Sequence, residues 1–280
     1  MIDRILVVGA GQMGGGIAQV AATAGLDVSL VDVDQPSLER GLAAVRKSLA
    51  RLHEKGVVED PEAVLSRISA STELESGRDC GLMIEAAPER FDLKADLFGR
   101  ADALLGPEAI LASNTSSIPI GRLAACTGRP DRVCGMHFFN PVPMLQLVEL
   151  IRGLDTSDET AAAVRACAEA MGKTVAESRD VPGFIANRVL MPMLNEAVFC
   201  LYEGVGDADA IDNVMRLGMA HPLGPLALAD LIGLDTCLAV LEVLQAGLGD
   251  PKYRPCPLWR QYVDAGRLGR KSGRGFHTYA

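Results

Sequence analysis

The feature that most constrains the fold is a glycine-rich turn between an apolar segment and a helical one. Residues 4–9 (RILVVG) are typical of a buried strand, the glycines of GAGQMG follow at once, and a helical pattern starts at Met13 and stops at Gly25. A further apolar segment at 27–33 carries Asp32, at about the 20-residue distance from the turn that dinucleotide-binding folds require. Together these features predict a Rossmann-type domain with a mostly parallel sheet.

Each glycine of the turn has its own physical task. Gly9 permits the tight turn, Gly11 lets the backbone approach a pyrophosphate, and Gly14 lets the helix pack on the sheet. The helix N-terminus attracts the phosphates through its free amides. Asp32 accepts hydrogen bonds from both ribose hydroxyls and repels a 2′-phosphate, which predicts NAD rather than NADP; the alternative is a glycine turn in another kind of α/β unit. The predicted cofactor-binding residues of this segment are Gly9, Gly11, Gln12, Met13, Gly14 and Asp32.

A histidine and a glutamate stand in apolar surroundings within residues 135–150, GMHFFNPVPMLQLVEL. His137 lies in an apolar run, a proline-rich turn follows, and residues 145–151 form a second β segment in which Glu149 faces an apolar side. Charge on such a side is costly unless it is paired. A carboxylate-held imidazole is the usual general acid/base, so His137 and Glu149 are the predicted catalytic pair. The alternative is a hydrogen-bonded core histidine with a solvated edge glutamate.

Other polar residues follow predicted strands at the edge where parallel sheets bind ligands. After the strand at 81–87, Glu89 and Lys94 are either cofactor contacts or a helix-start acid and a surface lysine. Residues 113–117 (SNTSS) form either a polar substrate pocket or a turn with helix-cap chemistry. The location beside a nucleotide site favours the pocket.

Two further features carry charge or amides. In the predicted helix 39–55, Lys47, Arg51 and Lys55 form one stripe, which is either a docking face for a phosphorylated ligand or a solvated face.

From residue 182 the pattern becomes wholly helical, with helices at 184–203, 208–217, 226–232 and 235–246. This predicts a sheet domain at 1–182 and an all-α domain at 183–280. Asn187 is a helix-start or a cleft-facing amide, and Lys271 folds back on an anion or is solvated.

Length and composition set the class of protein. The 280 residues suffice for two domains, and a net charge of −9 argues against nucleic acid as a partner. The seven cysteines include no CxxC pair, so neither a disulfide framework nor a zinc site is indicated and a reducing compartment fits best. The chain shows neither a leader pattern nor an apolar run long enough for a membrane span. We therefore expect a cytoplasmic protein.

The motifs together resemble the L-3-hydroxyacyl-CoA dehydrogenase family, most closely its short bacterial 3-hydroxybutyryl-CoA dehydrogenases. The similarity runs from Met1 to Ala280, and no motif position departs from the family pattern. HFFNPVP and PGFIANR are far more specific than the glycine turn. The resemblance is carried by GAGQMG, Asp32, EAAPERFDLK, SNTSS, GMHFFNPVPMLQLVEL, DVPGFIANR, HPLGPLALADLIGLD and GRKSGRGFHTY.

The resemblance implies a Rossmann-type domain followed by a helical domain that forms a homodimer, with the active site in the cleft between them. It implies that His137 is the general acid/base, that Glu149 is its partner, and that Ser116 and Asn187 bond the reacting oxygen. Around the nicotinamide half of NAD it places Glu89, Lys94, Ser116, Asn140 and Lys271. It assigns coenzyme A to the second helix, with the substrate-binding residues Ser48, Lys47, Arg51 and Lys55.

The expected reaction is reversible hydride transfer between an L-3-hydroxyacyl-CoA and NAD, with His137 taking or giving the proton. One alternative is a decarboxylating 3-hydroxyacid dehydrogenase, but such enzymes are expected to use a lysine where this chain has Asn187. A second is a family member acting on 3-hydroxyadipyl-CoA, carnitine or a polyol. A third is a non-catalytic NAD-binding protein, because a fold does not fix a function.

Overall fold

The computed structural model describes residues 2–279, which form two compact units divided between Val181 and Pro182. The first unit is an eight-stranded sheet with helices and the second is helical. This architecture confirms the predicted fold class. No helix within residues 2–279 combines the length and the apolar composition needed to cross a bilayer.

The sheet has the strand order β3-β2-β1-β4-β5-β6-β7-β8. Strands β1 to β6 run parallel, β7 pairs antiparallel with β6, and β8 runs parallel to β7. The carboxyl ends of β1, β2, β4, β5 and β6 therefore share one edge, and the glycine turn, Asp32 and the SNTSS segment follow strands that end there. The strands are β1 (Arg4–Val8), β2 (Asp27–Val31), β3 (Ile68–Ser71), β4 (Leu82–Glu85), β5 (Ile110–Ser113), β6 (Val133–Phe138), β7 (Leu147–Arg152) and β8 (Thr174–Arg179).

The central strands are mostly apolar because helices cover both faces of a parallel sheet. All residues of β4, β5 and β6 are buried, and the sheet core continues into the apolar side of the first helix. The helices of this unit are α1 (Gln12–Thr23), α2 (Gln35–Glu54), α3 (Pro61–Ser66), α4 (Phe91–Leu104), α5 (Ile120–Ala124) and α6 (Asp158–Ala170).

Side-chain caps fix where several helices begin. Asp34 accepts a hydrogen bond from the Ser37 amide at the start of α2, and Ser157 accepts one from the Thr160 amide at the start of α6. Such caps satisfy amides that have no partner within the helix. The start of α1 differs, because Gly11 precedes it and supplies no side-chain cap. Its first amides are left for another acceptor.

The second unit packs five α-helices around an apolar core that includes Trp259. Its helices are α7 (Ala186–Tyr202), α8 (Ala208–Asn213), α9 (Pro225–Ile232), α10 (Leu234–Leu248) and α11 (Pro257–Asp264). Asn195 ties α7 to the segment before α11, since its side-chain oxygen accepts from the Cys256 amide and the Trp259 indole and its nitrogen donates to the Arg254 carbonyl. Three bonds to one buried amide fix that segment.

Four elements differ from the sequence-based prediction. Strand β3 and helix α3 were not predicted, because β3 is a partly buried edge strand without an apolar run and α3 is a short capped turn of helix. Helix α11 was also missed, since its apolar face covers only a few residues after Pro257. The predicted helix at 208–217 stops at Asn213 and continues as a π-helical turn, Val214–Gly218.

Candidate active site

The glycine turn after β1 has the geometry of a phosphate-binding loop. Gly9 has a φ of +104°, and a Cβ there would lie 2.6 Å from the Ala86 carbonyl oxygen. A Cβ on Gly14 would lie 1.7 Å from the Gly9 carbonyl oxygen. At Gly11, by contrast, a Cβ would meet nothing within 4 Å, so this face of the backbone is open. An open backbone at an uncapped helix N-terminus fits a pyrophosphate.

Asp32 follows β2 and is fixed by two backbone amides. Its Oδ2 accepts from the Ala10 amide at 2.6 Å and its Oδ1 accepts from the Val33 amide at 2.7 Å. The carboxylate also borders a groove of about 830 Å³ that includes Gly9, Gly11 and Leu97. The groove has room for an adenosine, and an ionised carboxylate at its edge suits ribose hydroxyls. The open backbone at Gly11 and the Asp32 carboxylate beside the groove therefore fit a dinucleotide, and this geometric support is independent of the sequence pattern.

The ends of β4 and β5 carry a network of charged and polar side chains. Lys94 is 1% exposed and its ammonium bonds Glu85 Oε1 at 2.7 Å, the Ala87 carbonyl at 3.1 Å and Glu89 Oε2 at 3.3 Å. The alternative of a surface lysine is therefore wrong. Glu85 was not singled out from the sequence, although its charge at the end of an apolar run was the same kind of signal as at Glu149.

Glu89 organises the loop that carries Ser116. Its Oε1 accepts from the hydroxyls of Thr115 (2.5 Å) and Ser117 (2.7 Å) and from the amides of Ser116 and Ser117. Partial burial alone raises the pKa of the Glu89 carboxyl, but the charge of Lys94 and the two hydroxyls outweigh burial and bring the pKa below its ordinary value. Thr115 also accepts from the Ser117 and Ile118 amides, so the loop contains turn chemistry as well.

His137 and Glu149 face each other across the antiparallel pair β6–β7. The distance from His137 Nδ1 to Glu149 Oε2 is 2.8 Å, and the two residues are 9% and 1% exposed. The alternative of a solvated glutamate is therefore wrong. Because an ionised carboxylate only accepts, Nδ1 carries a proton and the lone pair of the neutral ring is on Nε2. In this tautomer Nε2 is the acceptor nitrogen of the ring.

The loop between these strands is held by a lysine that sequence reasoning missed. Lys173 is buried and donates to the carbonyls of Val142 (2.6 Å) and Leu145 (2.8 Å). Burial lowers the pKa of this ammonium. At the start of the same loop, the Asn114 side chain accepts from the Phe138 amide at 2.8 Å. The loop is thus tied both to β5 and to the start of β8, which no local pattern indicates.

A second groove, of about 420 Å³, lies between α1, α2 and residues 140–143. Ser48 and Asn140 border it, together with Arg40 and Gln19. Gln19 is 2% exposed. Lys47, Arg51 and Lys55 do not border the groove and are exposed along α2.

The second unit holds the remaining predicted residues. Asn187 lies in the first turn of α7, and Lys271 bonds both carboxylate oxygens of Asp235 at 2.6 and 2.7 Å. The segment that carries Lys271 continues into a tail fixed by Asp230, which accepts from the Phe276 and His277 amides and from the Tyr279 hydroxyl. Burial and the bond to Asp230 raise the pKa of Tyr279 to about 12.

Comparisons with known proteins show the family to which the chain is similar. Residues 4–181 match the family model described as 3-hydroxyacyl-CoA dehydrogenase, NAD binding domain, and residues 183–279 match the C-terminal domain of the same enzyme. The chain is 59% identical to a probable 3-hydroxybutyryl-CoA dehydrogenase of Deinococcus radiodurans, over 98% of this chain and 99% of the relative. It is 54% identical to a 3-hydroxybutyryl-CoA dehydrogenase of Bradyrhizobium diazoefficiens, over 100% of this chain and 96% of the relative. The crystal structure of (S)-3-hydroxybutyryl-CoA dehydrogenase from Ralstonia eutropha matches with a TM-score of 0.98 at 50% identity, covering 100% of both chains.

Proposed function

The chain belongs to the 3-hydroxyacyl-CoA dehydrogenase family, and from that premise we propose that it interconverts a short-chain L-3-hydroxyacyl-CoA, above all 3-hydroxybutyryl-CoA, with the 3-ketoacyl-CoA. The protein is an NAD-dependent enzyme of this family. The observation that carries the proposal is the 2.8 Å contact between His137 and Glu149 at the edge of the sheet that bears the glycine turn. The length of the acyl chain is assigned from the names of the relatives.

His137 handles the proton of the alcohol. When the hydroxyl is oxidised, Nε2 accepts its proton, and Glu149 stabilises the imidazolium that forms. Bound NAD supplies the hydride acceptor. In the direction of reduction, the imidazolium returns the proton to the oxygen. Because Glu149 is buried, water screens its attraction to the ring only weakly, which is what makes it effective.

Ser116 and Asn187 are assigned to the reacting oxygen. Ser116 stands in the loop that Glu89 orders, so its hydroxyl is carried by a rigid segment. Asn187 keeps this role on the family resemblance. Glu89, Asn140 and Lys271 are proposed around the nicotinamide half of NAD. For Lys94 the role is proposed to be indirect, because all three of its ammonium protons already have protein acceptors.

The groove between α1, α2 and residues 140–143 is proposed to take the thioester arm of coenzyme A. Its wall carries Ser48 and Gln19, whose polar side chains suit an arm that contains amide groups of its own. The exposed stripe of Lys47, Arg51 and Lys55 is proposed to meet the phosphates. Residues within 2–279 form no ion pair with this stripe, so its charge is available to an anion.

The test of the proposed function is a steady-state assay with NADH and a series of 3-ketoacyl-CoA thioesters. We expect turnover of acetoacetyl-CoA, with the highest kcat/KM at four carbons and a decline along the series. Free acetoacetate, carnitine and a polyol, each assayed with the cofactor in the matching redox state, are the control substrates. Turnover of a control without any turnover of thioesters contradicts the proposal, and no turnover of any compound supports a non-catalytic protein.

Asp32→Ala is expected to weaken NAD binding by at least about tenfold, the scale of a lost charge-assisted hydrogen bond, and to narrow the preference for NAD over NADP. Titration of both cofactors measures the effect. Asp27→Ala, at the opposite end of β2, is the control because its exposed carboxylate lies away from the groove. An unchanged ratio of the two dissociation constants would refute the role of Asp32.

A homodimer in the cytoplasm completes the proposal. The second unit leaves Val205, Val214, Leu217 and Met219 exposed, and an apolar cavity of about 480 Å³ lies beside them. Large exposed apolar patches mark interaction sites, which supports self-association through this unit. Sedimentation of the purified chain measures its mass, and a monomer at micromolar concentration contradicts the dimer.

A further inference from the structure

The buried carboxylate of Glu85 has no role in the proposed reaction, although it belongs to the charged network of Lys94 and Glu89. Glu85 is 0% exposed, and its two oxygens accept from the Ala87 amide (2.6 Å), the Lys94 ammonium (2.7 Å) and the Ser113 hydroxyl (2.6 Å). Each oxygen of the carboxylate therefore has at least one partner that can donate a hydrogen bond. Burying such a charge is costly, and the three donors compensate it.

The network ends at the surface with an unbalanced charge. Lys94 bridges Glu85 and Glu89, and the Glu89 side chain is 38% exposed at the end of the strand. Two carboxylates and one ammonium leave one net negative charge. Each of these charges has fixed hydrogen-bond partners, so the network cannot reorganise to neutralise the charge when a ligand approaches.

The sheet order places this charge on the nicotinamide side of the cofactor. In the order β2-β1-β4-β5, the glycine turn stands at the end of β1 and Asp32 at the end of β2. A dinucleotide whose pyrophosphate lies at the turn and whose adenosine ribose lies at Asp32 extends in the other direction over β4. Glu85 is the last residue of β4, in register with Val8 of β1 and Ser113 of β5. The nicotinamide half and the network therefore share the same strand ends.

We propose that Glu85, through Lys94 and Glu89, is a specificity-determining residue for the redox state of the cofactor and favours NAD⁺ over NADH. The inference rests on the proposed function. The nicotinamide ring is cationic in NAD⁺ and neutral in NADH, so a fixed negative charge near it stabilises the oxidised form alone. Glu85 acts on binding from beneath the strand ends, without touching the substrate.

The test is the ratio of the dissociation constants of NADH and NAD⁺, measured by fluorescence titration and by competition at one ionic strength, without substrate. Glu85→Gln keeps the shape of the side chain and leaves the network neutral. We expect the dissociation constant of NAD⁺ to rise about fivefold more than that of NADH, the order of one unit charge at this range. The double variant Glu85→Gln/Lys94→Met restores one net negative charge and is expected to restore the ratio.

Asp92→Asn is the matched control, since it removes one exposed carboxylate from the same helix, α4, outside the network. If Glu85→Gln does not fold, Glu89→Gln removes the same charge from the exposed end and carries the same expectation. Equal weakening of both nucleotides in every variant overturns the proposal and assigns Glu85 a structural role alone. If the unchanged protein binds both nucleotides but does not turn over thioesters, the proposed function fails, and the ratio still tests this inference.

Discussion

His137→Asn is expected to lower kcat at least about a hundredfold in both directions, the usual scale for removing a general acid/base. Asparagine is chosen because its side-chain amide can still donate to the buried carboxylate of Glu149, which alanine would leave without the ring. The amide cannot accept or release a proton at neutral pH, so only the chemistry is removed. Steady-state kinetics with acetoacetyl-CoA and NADH measure kcat, and NADH titration measures the affinity for the cofactor.

The control for this variant is His53→Asn. It makes the same chemical change at an exposed histidine on α2, outside β6 and β7. It is expected to leave kcat unchanged. NADH affinity is expected to stay within about a factor of two in His137→Asn, because the turn and Asp32 are untouched. Near-normal turnover in a folded His137→Asn protein would remove the proton-transfer role from this ring.

Glu149→Gln is expected to lower kcat about a hundredfold, because the imidazolium that forms during oxidation loses a buried countercharge. The amide keeps the size of the side chain and can still hydrogen-bond Nδ1, so the position of the ring is retained. This variant therefore separates the effect of the negative charge of Glu149 from its effect on the position of the His137 ring. Kinetics with both substrates, and a melting curve to establish that the variant is folded, are the measurements.

Glu169→Gln is the matched control, since it makes the same chemical change on the exposed surface of α6. A loss of activity confined to Glu149→Gln supports the electrostatic role. If Glu149→Gln retains full turnover, the carboxylate only orients the ring, and the stabilisation assigned to it is absent.

The parts of the fold that could be predicted from sequence are those encoded by neighbouring residues. The turn at Gly9 needs a positive φ, and a buried parallel strand needs an apolar run, so a short segment shows each of them. The pair of His137 and Glu149 was also predictable, because two polar residues in apolar segments joined by one turn have few other partners. The mostly parallel sheet followed by a helical domain was confirmed.

The features that escaped prediction depend on contacts between distant residues. Lys173, which directly precedes β8, donates to the carbonyls of Val142 and Leu145. Nothing in the sequence around Lys173 indicates that its ammonium is buried. Strand β3 is short and polar because it lies at the edge of the sheet, a position that only the strand order reveals.

The contact between the imidazole and the carboxylate is set by the register of one antiparallel ladder, in which residue 137 is opposite residue 149. Side chains alternate between the two faces of a strand, so deleting a single residue within β6 or β7 would send one partner to the reverse face of the sheet. Substitutions elsewhere in the two strands keep this pairing, whereas a shift of the register by one residue breaks it. Natural variants and engineered libraries of this protein should therefore tolerate exchanges inside the two strands far better than insertions or deletions.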